Sequence, residues 1–300
     1  KETYLLKFEE NSKIGIGECA LFRGLSCDDK PNYEERLQWL CANIHKNKEV
    51  LLNELIEFPS IQFGLEQALL SLRSKDAFKL FPSKFTNSSA AININGLIWM
   101  GNEAFMKQQI EEKIATGFST IKMKIGAIDF DKELHILKSI REKSKTIEIR
   151  VDANGAFSPS ESLEKLTQLT EFNLHSIEQP IKQGFPATMN QLCKESPLPI
   201  ALDEELIGKY TREAKSETLD AINPPYIILK PSLIGGIKGS KEWIELAEER
   251  EIKWWITSAL ESNIGLNAIS QFVATTGNTM FQGLGTGKLY TNNISSPLSV

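Results

Sequence analysis

The chain has 300 residues, 41% of them hydrophobic, enough to bury a large core as one barrel plus a smaller domain or as two domains. Its 34 Lys and Arg against 39 Asp and Glu give a net charge of -5 with no basic tract, which argues against phosphate-driven binding of nucleic acid. No apolar run approaches the roughly 18 residues that span a bilayer, so no membrane partner is expected. Four cysteines (Cys19, Cys27, Cys41, Cys193) show neither C-x-x-C nor zinc spacing and read as reduced thiols of a cytoplasmic protein. Three histidines leave little material for a histidine-rich metal site.

The first residues, Lys1 to Phe8, read as a strand and not as a signal peptide; they lack an initiator Met, so the natural start is expected upstream. Tyr4 to Phe8 and Lys13 to Cys19 are expected to form a hairpin around Glu10-Asn-Ser12, followed by helices at Tyr33 to His45, about Val50 to Ile56, and Ser60 to Arg73. Gly15-Ile-Gly-Glu18 and Arg23-Gly-Leu-Ser26 read as a glycine-containing loop able to move, which fits a lid as well as a plain hairpin exit. This part lacks any strand-helix repeat and is expected to be a separate α+β domain.

From Ala91 onward the pattern changes. A first strand is expected at Ala91 to Leu97, then a helix with Met106, Ile110 and Ile114 on one face, ending at Gly117. Phe130, Leu134, Leu137 and Ile140 mark the next helix, and Ser158-Pro159 reads as an N-cap with proline at the first helical position. Met189 with Leu192 and Cys193, and Trp243 with Leu246 and Ala247, mark later helices. A seventh strand is expected at Lys253 to Ser258, a helix at Asn263 to Thr276 ending at Gly277, and an eighth strand at Met280 to Leu284. The fold class expected is α/β: a modified (β/α)8 barrel of the TIM type, (β/α)7β, carrying an N-terminal α+β capping domain. Residues 1–88 would form the cap, completed by the tail 287–300, and residues 89–286 the barrel.

Between these helices, five successive apolar, β-prone runs end in charges. Thr120 to Ile125 carries Lys122 and Lys124; the next four deliver Asp152, Glu178, Asp203 and Lys230. The last four charges lie 26, 25 and 27 residues apart, about the length of one strand, one helix and two short loops. In a parallel barrel such charges share the C-terminal mouth, where catalytic groups sit. A single charge after a strand is usually just solvated; five in register are not explained that way.

Three carboxylates without His or Cys select a hard divalent cation, and Mg²⁺ suits best because it keeps positions open for water or substrate. Asn154 falls on the side of Asp152 and could act in a second shell, and is also a weaker candidate for binding substrate. Lys122 and Lys124, two residues apart, point to one face of their strand and both enter the barrel. Their mutual repulsion beside a dication would lower a lysine pKa toward neutrality and make one of them a general base. Lys230, four strands away around the ring, faces the substrate from the opposite side. A cation between opposed lysines fits abstraction of a proton α to a carboxylate.

Lys122-Met-Lys124, Val151-Asp-Ala-Asn-Gly155, Ile177-Glu-Gln-Pro180, Leu202-Asp-Glu204 and Leu229-Lys-Pro-Ser-Leu-Ile-Gly-Gly236 carry a resemblance to the enolase superfamily, in its muconate-lactonizing subgroup, over nearly the whole chain. Within it, Gly15 to Glu18, Asn95 to Gly101, Trp254 to Ser262 and Gln282 to Gly287 look most like the subgroup's dehydratases of menaquinone biosynthesis. These turn 2-succinyl-6-hydroxy-2,4-cyclohexadiene-1-carboxylate into 2-succinylbenzoate. The resemblance implies Mg²⁺, with Mn²⁺ able to substitute, on Asp152, Glu178 and Asp203, holding the substrate carboxylate. It implies Lys124 as the base and then the acid for the departing hydroxyl, Lys122 as its tuner and a carboxylate contact, and Lys230 as the cation facing the other side of the ring. Ser258, Ser262 and the backbone at Gly285 are implied contacts for the succinyl arm, with rim turn residues the plainer reading. The alternative is an epimerase of the same subgroup that racemises N-succinylamino acids or dipeptides with Lys124 and Lys230 as two bases. Dipeptide epimerases usually show Asp-x-Asp after the eighth strand, and Leu284-Gly-Thr-Gly287 lacks it. A metabolite-binding barrel without catalysis would need no paired bases, and a Schiff-base lysine enzyme would be trapped by borohydride. Monomer and homo-oligomer both stay open.

Overall fold

The structure is a computed structural model and describes residues 2–287 and 289–298. Two strands, β1 (Tyr4–Glu10) and β2 (Lys13–Cys19), pair antiparallel with Glu10 opposite Lys13. Asn11 and Ser12 between them take φ of 49° and 67°, the left-handed geometry that a two-residue hairpin turn requires. Three helices follow, α1 (Tyr33–Asn43), α2 (Lys48–Glu54) and α3 (Pro59–Arg73). Every residue of α3 from Pro59 to Ala68 is buried, because the helix lies between two cores. Ile61 and Leu65 pack with Leu6, Leu21, Leu40 and Leu52 of the N-terminal unit, while Phe63 joins the barrel core.

The loop reading of Gly15 to Glu18 is corrected here. Both glycines lie inside β2, and a Cβ on Gly15 or Gly17 would overlap the carbonyl oxygen of Ala68 or Gly64 in α3. They are glycines because a strand and a helix touch backbone to backbone, not because the chain must bend. Residues 22–26 form a turn in which Ser26 Oγ accepts from the Phe22 N–H at 2.9 Å.

Just beyond that turn, the buried Asp28 accepts from the N–H (2.9 Å) and Oγ (2.6 Å) of Ser60 at the start of α3, while its Oδ1 finds no partner. Burial pushes this carboxyl up to about 6, against the opposing hydrogen bonds from Ser60. The folded protein therefore holds a proton that the unfolded chain releases nearer pH 4, so this group's contribution to stability is lost as pH rises through about 6. Replacing Asp28 by Asn removes the dependence. Thermal unfolding from pH 4 to 7 is expected to show Asp28→Asn gaining on wild type by roughly 2 to 3 kcal/mol across that range, and parallel curves would rule out a buried titrating carboxyl.

The rest of the chain alternates strand and helix: β3 (Gly96–Ile98), α4 (Glu103–Ala115), β4 (Thr120–Lys124), α5 (Phe130–Lys143), β5 (Glu148–Asp152), α6 (Ser162–Leu169), β6 (Ser176–Glu178), α7 (Pro186–Glu195), β7 (Ile200–Leu202), α8 (Arg212–Ile222), β8 (Tyr226–Leu229), the short α9 (Pro231–Ile234), α10 (Gly236–Glu248), β9 (Lys253–Ile256) and α11 (Asn263–Thr276). The seven strands β3 to β9 form one parallel sheet in chain order. Its two edges meet on residues 282 and 283, which make single parallel bridges to Ile94 and Thr257. The Gln282 N–H donates to Asn93 O at 2.8 Å, Asn95 N to Gln282 O at 3.0 Å, and Gly283 N to Ile256 O at 2.9 Å. The expected eighth strand is thus reduced to bridges and the first shortened to Gly96–Ile98. The buried side-chain amide of Gln282 takes part of the ladder itself, its Oε1 accepting from Ile256 N at 2.8 Å. The ring closes as a modified TIM barrel.

Two further expectations change. Ser158 is not the cap of α6, which starts at Ser162 with Glu161 in the cap position; Ser158 to Glu161 form a turn in which Ser162 Oγ donates to Pro159 O at 2.9 Å. Helix α8 has no counterpart in the sequence reading, although Thr211 caps it, accepting from the Ala214 N–H at 3.2 Å, and Lys215, Leu219 and Ile222 line its buried side. The C-terminal tail lies by the start of α11, with Tyr290 donating to Leu260 O at 3.1 Å and Asn293 Oδ1 accepting from Asn263 N at 2.8 Å. Lys1, Lys288, Ser299 and Val300 lie outside the described residues.

Candidate active site

The parallel register sets Lys124 opposite Asp152 and Asp152 opposite Glu178, so the ends of three adjacent strands form one row. Asp203 follows β7 and Lys230 follows β8. Asp152, Glu178 and Asp203 are at most 2% exposed, in a protein interior where carboxylates are rarely left without partners. The lysines supply them. Lys122 Nζ pairs with Asp152 Oδ2 at 2.8 Å and also with Glu178; Lys124 Nζ pairs with the same Asp152 Oδ2 at 2.6 Å; Lys230 pairs with Asp203 and lies 3.5 Å from Glu178 Oε1. All six residues expected at the chemical centre therefore meet in one network.

Burial opposes the charge on Asp152, but Lys122, Lys124 and Lys230 outweigh it and hold this carboxyl well below the usual range. At Glu178, burial and then the Asp152 charge win, pushing it up to about 8. Asp203 is raised by burial and by Glu204. Burial first, and then repulsion from neighbouring carboxylates, raises both of these groups. Lys122 departs from the lowering considered for the Lys122–Lys124 pair: burial favours loss of its proton, yet Asp152 and Glu178 hold it above its ordinary value, and at Lys230 Asp203 and Glu178 likewise outweigh burial.

Asn154, at φ 42°, turns its side chain across the mouth: Oδ1 accepts from Lys124 Nζ at 2.6 Å and Nδ2 donates to Glu204 Oε1 at 2.9 Å. Ser258 is buried and donates to Glu261 at 2.5 Å. Ser262 is occupied elsewhere. Its N–H (2.8 Å) and Oγ (2.6 Å), with the Gly265 N–H (2.8 Å), all go to the fully buried Glu18 of β2, so a carboxylate of the N-terminal unit caps barrel helix α11. Gly285 is exposed, and a Cβ there would lie 3.5 Å from Asn95 O.

Sequence reasoning did not single out Glu18, Glu66, Gln179 or Glu261. Glu66 caps α10, accepting from Ile237 N at 2.6 Å, at a place where any Cβ on Gly236 would collide with it. Gln179 Oε1 accepts from the Asp203 N–H at 3.1 Å and so fixes the strand end that carries Asp203. Glu261 holds both Ser232, two residues after Lys230, and Ser258. Gln179 was visible inside Ile177-Glu-Gln-Pro180, Glu18 at the end of Gly15-Ile-Gly-Glu18, and Glu261 inside the stretch Trp254 to Ser262; nothing local marks Glu66.

Residues 105–297 match the family described as Enolase C-terminal domain-like. Across its whole length the chain is 46% identical to o-succinylbenzoate synthase of Desulfotalea psychrophila, covering 90% of that protein. The chain belongs to the o-succinylbenzoate synthase family of the enolase superfamily. The crystal structure of MenC from the same organism superposes with a TM-score of 0.90 at 46% identity, over 99% of this chain and 92% of that one. More distant is L-Ala-D/L-Glu epimerase of Francisella tularensis, 27% identical over 78% of this chain and 64% of the epimerase.

Members of this superfamily typically use a divalent metal. As the side chains stand, no three acidic, histidine or cysteine groups among the described residues surround a point closely enough to hold one, because ammonium groups bridge the carboxylates. The donors nevertheless fit such an ion. Asp152, Glu178 and Asp203 offer only oxygen, they are buried together, and Glu178 Oε1 accepts no hydrogen bond. Among the described residues no helix is long and apolar enough to cross a membrane.

Proposed function

We propose that the chain is an o-succinylbenzoate synthase, a carbon-oxygen lyase of menaquinone biosynthesis acting on 2-succinyl-6-hydroxy-2,4-cyclohexadiene-1-carboxylate. The observation that carries the reading is the row of three buried carboxylates with Lys122 and Lys124 on one side and Lys230 on the other. Family membership supports it, and the N-terminal unit, residues 1–88 with the tail, would cap the barrel mouth of residues 89–286. Mg²⁺, or Mn²⁺ in its place, would be held by Asp152, Glu178 and Asp203 and would supply positive charge to the substrate carboxylate.

Lys124 Nζ takes the proton from the ring carbon bearing that carboxylate, so the C–H bond breaks and its electron pair enters the ring. The proton stored on Lys124 then goes to the hydroxyl on the same face. The C–O bond breaks, water leaves, and the ring becomes aromatic. Lys230 keeps its proton, as its two carboxylate neighbours favour, and places a positive charge against the opposite face. Lys122 crowds Lys124 and reaches the carboxylate. Ser258, held by Glu261, is the stronger candidate for the succinyl arm; Ser262, bound to Glu18, and Gly285 follow. None of the four cysteines is in a disulfide, which supports a reducing, cytoplasmic setting.

The test is a Mg²⁺-dependent absorbance assay on the cyclohexadiene carboxylate, run beside α-proton exchange of an N-succinylamino acid in D₂O. Fast loss of the diene with slower exchange is the expected result. Exchange without dehydration would keep the barrel and replace the reaction by racemisation.

A further inference from the structure

We infer that Asn154 is a positioning residue that aims the amine of Lys124, and that Glu204 locks the amide of Asn154 in the working direction. This rests on Lys124 being the proton-transfer group proposed above.

Lys124 Nζ has two close partners, and they differ in kind. Asp152 Oδ2, at 2.6 Å, is shared with Lys122 at 2.8 Å. Asn154 Oδ1, also at 2.6 Å, carries no charge. An amide carbonyl accepts an N–H from ammonium and from neutral amine alike, and Asn154 Oδ1, unlike Asp152 Oδ2, is not shared with Lys122. A group that must give up a proton and take it back in one turnover needs an anchor of the second kind. With one N–H on Asn154, the lone pair of the neutral amine stays aimed in one direction in both halves of the reaction.

The amide direction is set by its other end. Nδ2 donates to Glu204 Oε1 at 2.9 Å, and turning the amide over would set its carbonyl against this carboxylate and its NH₂ against the Lys124 ammonium. Glu204 is 6% exposed, and its Oε2 has no hydrogen-bond partner, so its bond to Asn154 is made at some desolvation cost. The backbone serves the same end. Asn154 adopts φ 42°, a left-handed conformation, and its N–H donates to Asp152 Oδ1 at 3.0 Å, which swings the side chain between Lys124 on β4 and Glu204 beyond β7.

The decisive variant is Asn154→Gly, because glycine adopts the left-handed backbone freely and removes only the amide. Its kcat on the cyclohexadiene carboxylate is expected to fall roughly 10- to 100-fold, with KM and the calorimetric Kd for 2-succinylbenzoate nearly unchanged. The primary isotope effect on kcat with α-deuterated substrate should rise as proton transfer becomes limiting. Glu204→Ala should show the same split in weaker form, and Glu204→Gln, which retains an acceptor oxygen, should recover part of the loss. Wild-type kcat in Asn154→Gly, or a loss confined to KM and product Kd, would overturn the positioning role; the second result would make Asn154 a substrate contact. A wild type inert on the diene would instead overturn the reaction, and this role with it.

Discussion

Lys124→Ala is expected to lower kcat/KM for the cyclohexadiene carboxylate by about 10³-fold or more, within the range that a positioned general acid-base group contributes. The loss should be large because, in the proposed mechanism, one amine serves both half-reactions, removing the proton and returning it to the leaving hydroxyl. Lys124→Arg should be no better, since a guanidinium keeps the charge and cannot act as a base. Lys230→Ala should lose a comparable factor for a different reason: it removes the positive charge opposite Lys124 and leaves Asp203, 2% exposed, without its direct ion-pair partner. Stopped-flow turnover with circular dichroism separates chemistry from folding. Lys124 is only partly buried and Asp152 keeps Lys122, so Lys124→Ala should retain a wild-type spectrum. Near-normal turnover in either alanine variant, in folded protein, would remove that lysine from the mechanism.

Chelation of divalent metal should abolish turnover and Mg²⁺ should restore it, with a second readout that does not depend on activity. Bringing a dication to Asp152, Glu178 and Asp203 requires Glu178 to be ionised, and its carboxyl stands at about 8 because burial and Asp152 oppose the charge. Metal binding therefore competes with a proton, and affinity should increase as pH rises toward and through about 8. At a Mg²⁺ concentration near 100 times Kd the stabilisation is about 2.7 kcal/mol, or roughly 5 °C in melting temperature for a chain of this size. Glu178→Gln should lose both the melting shift and its pH dependence. Turnover that persists in EDTA, or a melting temperature indifferent to Mg²⁺ at pH 8.5, would eliminate the three-carboxylate site.

The site was legible because parallel strand ends repeat at nearly constant spacing, and Lys124, Asp152 and Glu178 fall opposite one another in the ladder. Two of the errors fell where a residue answers to a distant neighbour. Gly15 and Gly17 read as loop glycines, but they are there because Ala68 and Gly64 of α3 press against β2. Met280 to Leu284 had a strand pattern, yet Gln282 substitutes its side chain for part of the ladder. Ser158-Pro159 carried a good capping signature that a local turn took instead.

By itself, then, the sequence determined the strand-helix alternation, the barrel and the identity of six charged groups at its mouth, since periodicity and register follow from local chain geometry. Only the tertiary structure decided how those charges are paired, that Glu178 and Asp203 are raised while Asp152 is lowered, and that Asn154 faces Lys124 and Glu204. It also decided that Glu18 and Glu66 of the N-terminal unit cap α11 and α10. These are contacts between residues far apart in the chain, and their energies depend on burial and distance, which spacing along the sequence does not encode.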